Sequence, residues 1–134
     1  MKAFITLIKT FYNYLLVGVL NTLLCFFIMY LGATAGLGYL AYTAMGYSIS
    51  ILFSFFMNLR YTFDAKGHTL KRLSVFLLIN FTNLMLVEMI EHVLIESIGL
   101  DHLLAIFSAM IWYILSGFLL NNYIVYRRPI ETIA

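Results

Sequence analysis

The stretch Phe55-Phe-Met-Asn-Leu-Arg-Tyr-Thr-Phe63 gathers an amide, a guanidinium and several aromatic rings within nine residues. Uncharged sequence runs into it from Tyr39, and charged, turn-prone residues follow it, so it sits where a hydrophobic helix meets water. At such a boundary Arg60 offers a planar, permanently charged fork for a phosphate, and Asn58 offers an amide to the same phosphate or to a sugar hydroxyl. A weaker copy, Phe118-Leu-Leu-Asn-Asn-Tyr-Ile-Val-Tyr126, is followed by Arg127 and Arg128, which makes Asn121 and Arg127 the corresponding candidates. Arg72, just after the central loop, is a further basic candidate. The plainer reading of these residues is a snorkelling anchor with an interfacial aromatic belt of Tyr61, Phe63, Tyr123 and Tyr126.

Deeper in the apolar sequence lie the amides Asn21, Asn80 and Asn83 and the carboxyl Glu88. An amide inside a membrane needs partners, which either a neighbouring helix or a substrate can supply. Counted from Leu73 at 1.5 Å per residue, Glu88 lies about 22 Å along its helix, an expensive depth for an ionisable group. It serves there as a protonation site, as lining of a wet cavity, or as a neutral acid bonded to a neighbouring helix. Glu91 and His92 approach the far interface. Glu88, His92 and Glu96 have the spacing of one helical face, but three ligands from one helix with no second cluster give no supported coordination shell. No metal or other cofactor is expected. No nucleophile–base pair and no phosphate-cradling glycine loop is present, so the chain does not read as an enzyme.

These residues need a scaffold, and composition says which. Of 134 residues, 63% are hydrophobic and only 10% charged, against roughly a quarter charged in ordinary globular proteins. So short a chain cannot hide that much apolar surface inside itself, and its solvent is lipid. Four stretches, about residues 11–31, 39–60, 73–95 and 103–126, approach the ~20 residues that cross a hydrocarbon core of ~30 Å. They must be helices, because an open strand leaves backbone groups unpaired in lipid. The expectation is an all-α membrane protein, one transmembrane domain over 1–134. Nothing in it suggests nucleic acid as a partner. The first segment exceeds the roughly 7–15 apolar residues of a cleaved signal core, so it is retained. The single cysteine, Cys25, lies in an apolar helix and reads as inert packing.

With four spans, all eight Lys and Arg residues fall on one side, and of the six acids only Asp64 and Glu131 join them. The positive-inside rule makes that side cytoplasmic, with both termini and the central loop inside. The halves also repeat. Tyr14 to Asn21 aligns with Phe76 to Asn83 at an offset of 62, and Phe55, Asn58 and Phe63 align with Phe118, Asn121 and Tyr126 at an offset of 63. The unit is a two-helix hairpin, and the copies are expected to run parallel. On the second helix Thr43, Gly46, Tyr47, Ser50, Ser54, Asn58 and Tyr61 form a polar stripe, for which helix packing is the ordinary explanation.

Four pieces in order resemble the GtrA-like family of small four-helix membrane proteins. They are Val17-Gly18 with Asn21-Thr22; Ser54-Phe-Phe-Met-Asn-Leu-Arg-Tyr-Thr-Phe63; Arg72 with Phe76; and Gly117-Phe118 followed by Ile124-Val-Tyr-Arg127. The resemblance spans Lys9 to Arg128. It implies residence in the bacterial cytoplasmic membrane and flipping of undecaprenyl-phosphate-linked sugars for cell-surface polysaccharide modification, O-antigen among them. It makes Asn21, Asn58 and Arg60 the leading substrate contacts. Tyr123 stands where the counterpart of Arg60 falls, and Glu88 and Glu91 lie outside the matched pattern. The implied partners are the polyprenyl-phosphate-linked sugar and membrane lipids, with a homo-oligomer expected because four short helices enclose little volume. The alternative is an anchor or adaptor that recruits or stabilises a membrane glycosyltransferase. A multidrug exporter fits less well, since the first helix carries no acid to bind cations.

Overall fold

The computed structural model describes residues 1–126, and among these every regular element is helical. Helix α1 spans Lys2–Thr34, α2 Tyr39–Met57, α3 Thr69–His92 and α4 His102–Leu120. The last three each run on into a single π-turn, at Asn58–Thr62, Val93–Ser97 and Asn121–Val125. All four helices are long and apolar enough to cross a membrane. Helix α1 starts well before the expected residue 11, because nothing between Lys2 and Thr10 breaks it. Thr6 and Thr10 return their hydroxyls to the carbonyls of Lys2 and Thr6, at 3.0 and 2.8 Å.

The chain divides into two compact units, residues 1–65 and 66–134, each built on one helical hairpin. In hairpin one, α1 and α2 are joined by a turn in which Leu37 N–H donates to Gly32 O. The helices then approach closely through glycine. A Cβ on Gly32 would lie 2.5 Å from that of Tyr42, and one on Gly46 would lie 2.7 Å from Met29 Cγ and 3.3 Å from the Cys25 carbonyl. Such contacts let dispersion act where lipid removes the hydrophobic drive between helices. At the other end Tyr14 meets Phe63 edge-on at 6.3 Å.

Hairpin two fully buries Ala105 and Ala109 on α4. Its turn is closed by Leu100 N–H on Leu94 O, and the Asp101 carboxylate caps α4 by accepting from Leu103 N–H at 3.0 Å. Phe76 packs on Tyr126 with ring centroids 6.4 Å apart, the counterpart of Tyr14 on Phe63. The sequence repeat is therefore also a repeat of internal contacts.

The π-turns repeat with it. Phe63 N–H donates to Asn58 O and Tyr126 N–H to Asn121 O, each at 2.9 Å. A π-turn admits one extra residue and re-aims the side chains around it, here at a buried asparagine in both hairpins. After the first of them the chain turns through Asp64 at φ 44°, a left-handed conformation that Asp tolerates better than most residues.

Candidate functional site: open oxygens in hairpin one

Asn58 sits where α2 becomes its π-turn and is only 2% exposed. Its amide nitrogen reaches Ser54 Oγ at 3.4 Å, while Oδ1 has no hydrogen-bond partner among the described residues. One turn on, Thr62 is buried, and its Oγ1 is likewise without a partner among them. Half-buried Asn21 on α1 has a buried Oδ1 in the same condition. The hairpin's register follows from Gly32 against Tyr42, Gly46 against Met29, and Tyr14 against Phe63. It sets Asn21 level with Ser54, so the three open oxygens are spread over roughly 12 Å of helix. Leaving a buried acceptor unpaired costs about 1–3 kcal/mol.

Arg60 is exposed. Two residues from Asn58 and two from Thr62, it points away from the face those residues share. The structure thus separates the amide and the guanidinium that the sequence sets side by side. Arg60 faces the surroundings of the helix end, where an anionic head group can reach it, and Asn58 faces inward.

Arg72, another phosphate candidate, lies only 6% exposed. Its Nε donates to Gly67 O at 2.9 Å, Nη2 to Lys66 O at 3.3 Å, and Nη1 to Val125 O at 2.7 Å. The guanidinium ties the end of the α4 π-turn to the start of α3.

Asn80 and Asn83 differ sharply in their partners. Asn80 donates back to Phe76 O at 2.7 Å within its own helix. Asn83, fully buried, accepts from Ser116 Oγ at 2.8 Å and donates to Tyr113 O at 3.2 Å, joining α3 to α4. Asn121 donates to Gly117 O at 2.7 Å, and its Oδ1 has no partner among the described residues. Glu88 is exposed on α3. Among the described residues no three His, Cys, Asp or Glu side chains, the set of Glu88, His92 and Glu96 included, come together as metal ligands. Arg127 and Arg128 lie outside the described residues.

Thr62 was the residue that sequence reasoning passed over. A hydroxyl in an interfacial stretch looks solvated, and only its position one turn after Asn58 signalled that both would turn inward.

No curated protein matches the chain. The family model GtrA/DPMS, transmembrane domain, matches residues 13–127, nearly the whole of the four-helix region. That membership ties the chain to membrane proteins of polyprenyl-phosphate-sugar processes. With its four membrane-length helices, the chain is a multi-pass membrane protein belonging to the GtrA/DPMS transmembrane-domain family.

Proposed function

We propose that the chain is a translocase, not an enzyme, that moves an undecaprenyl-phosphate-linked sugar across the bacterial cytoplasmic membrane, from the cytoplasmic leaflet to the outer one. The observation that carries this reading is the row of three open oxygens, Asn21 Oδ1, Asn58 Oδ1 and Thr62 Oγ1. Sugar hydroxyls are the donors such a row lacks, and satisfying it lowers the cost of taking a sugar out of water. Arg60, exposed at the end of the same helix, would hold the phosphate at the inner interface, with the polyprenyl tail left in lipid. The one-sided distribution of Lys and Arg supports cytoplasmic termini and a parallel arrangement of the hairpins.

The test is sugar exposure in proteoliposomes that contain the purified chain and polyprenyl-phosphate-glucose. An impermeant reagent reports outer-leaflet sugar with time. Exposure well above that of empty vesicles, and reduced by Asn58→Leu, is the expected result. Exposure at the rate of empty vesicles, with folded protein, would sink translocation.

A second reading is favoured by Glu88, which leaves a carboxyl exposed on a membrane-length helix. A membrane glycosyltransferase seated over α3 would cover it, and the chain would then serve as that enzyme's anchor. Co-purification lost on Glu88→Leu, with no sugar exposure, is the outcome that selects this reading.

A further inference from the structure

The two hairpins are copies whose differences are as informative as their likeness. The shallow amides agree: Asn58 and Asn121 each begin a π-turn, and each leaves Oδ1 without a partner among the described residues. The deep amides do not. Asn83 Oδ1 has the Ser116 hydroxyl at 2.8 Å, a hydroxyl shared with Trp112 O of its own helix at 2.6 Å, while its counterpart Asn21 has an Oδ1 without a partner among the described residues. At the offset of 63 that relates the second helices, the position of Ser116 is occupied in hairpin one by Phe53. Phenylalanine has no donor to give. Of the two hydroxyls nearby, Ser50 donates within its own helix, to Gly46 O at 2.6 Å, and Ser54, level with Asn21, accepts from Asn58 at 3.4 Å and makes no bond to Asn21 Oδ1.

A second difference lies at the helix ends. Arg72 locks the π-turn of hairpin two through Val125 O. At the offset of 62 its place in hairpin one is taken by Thr10, whose hydroxyl is returned to Thr6 O. The two copies thus differ both at the position of the deep donor and at the position of Arg72.

We infer that the hairpins have divided their roles: hairpin one is the ligand-bearing half, hairpin two is scaffold, and Phe53 is the residue that reserves Asn21 Oδ1 for a hydroxyl donated by the ligand. The inference rests on the translocase reading for the identity of that ligand, the glycosyl group of a lipid-linked sugar. Phe53 acts through Asn21 and is a positioning residue. A serine at 53 would do to Asn21 what Ser116 does to Asn83.

The experiment compares Phe53→Ser, Phe53→Ala and Ser116→Ala in the full chain. Phe53→Ala removes the same ring without adding a hydroxyl, and so corrects for lost packing. Two readouts are taken: sugar exposure in proteoliposomes, and the rise in Tm that polyprenyl-phosphate-glucose causes in detergent relative to polyprenyl phosphate alone. Phe53→Ser should lower exposure and apparent affinity about tenfold relative to Phe53→Ala, the worth of one hydrogen bond withheld from the ligand. Ser116→Ala should lower the Tm of the unliganded chain and leave both ligand readouts in place. Equal behaviour of the two Phe53 variants overturns the inference, as does a folded Ser116→Ala chain that loses exposure as Phe53→Ser does. In either case the translocase reading stands if the parent chain exposes sugar. A parent chain that exposes no sugar, yet shows a sugar-dependent Tm rise erased by Phe53→Ser and kept by Phe53→Ala, supports the inference and removes translocation. Neither exposure nor a Tm rise in the parent chain overturns both.

Discussion

Arg72 Nη1 donates to the carbonyl oxygen of Val125 at 2.7 Å, across 53 positions of sequence, while the same guanidinium holds the carbonyls of Gly67 and Lys66. A basic side chain at a membrane boundary is here a structural tie. Arg72→Lys keeps the charge but not the fork, and should cost about 2–3 kcal/mol of stability, read as a lower Tm in detergent. Unchanged stability with weaker polyprenyl-phosphate binding would instead return Arg72 to the head group.

Arg60 predicts the opposite pattern. It is exposed, so Arg60→Ala should move stability by less than about 0.5 kcal/mol. Binding of polyprenyl phosphate, measured by the Tm shift it produces, should weaken, and more so at low salt. A large loss of stability would mean that the side chain has a partner within the fold.

Asn83 and Asn21 separate on stability alone. Asn83→Leu breaks the link from α3 to α4, and interhelical bonds of this kind in membranes average about 0.6 kcal/mol, with a maximum near 1.7. Asn21→Leu removes an amide whose oxygen is open, and should be neutral or stabilising. Thermal unfolding of both variants without ligand decides the matter. Equal losses would show that Asn21 is bonded after all.

The glycine contacts give a graded pair. Gly32→Ala drives a methyl into Tyr42 Cβ, an atom fixed to the backbone, and should cost about 1–3 kcal/mol. Gly46→Ala meets the side chain of Met29, which can move, and should cost less. If Gly46→Ala proves the more damaging, the approach to the Cys25 carbonyl is the tighter constraint.

His68 is held at φ 54° at the start of α3, a conformation that costs an L-residue about 1–2 kcal/mol. His68→Gly removes that strain but adds chain entropy to the unfolded state, so a net gain of up to about 1 kcal/mol in thermal stability is expected. A net loss would assign the imidazole a contact of its own.

Much of this molecule was legible in its sequence for identifiable reasons. The four spans follow from apolar length alone, and the offset pairs of Asn58 with Asn121 and Tyr14 with Phe76 return as matching contacts. The inward turn of Arg72 was not legible, because its acceptors are backbone carbonyls and any sequence supplies those. Nor was the contrast between Asn21 and Asn83. Both are amides in apolar helices, and the partner that Asn83 finds in Ser116 lies on the facing helix, which matters only once the register is known.

Helix α1, with 33 residues, is about 50 Å long, well beyond the ~30 Å of bilayer hydrocarbon. The surplus has to be taken up by tilt or by standing clear of the membrane. Thr6 and Thr10 have already given their hydroxyls to α1's own carbonyls, and Lys9 can stretch toward the head groups. These first turns are therefore equipped for either side of the boundary, and α1 can track local membrane thickness like a float on a changing water line, while the glycine contacts at its far end hold α2 in step.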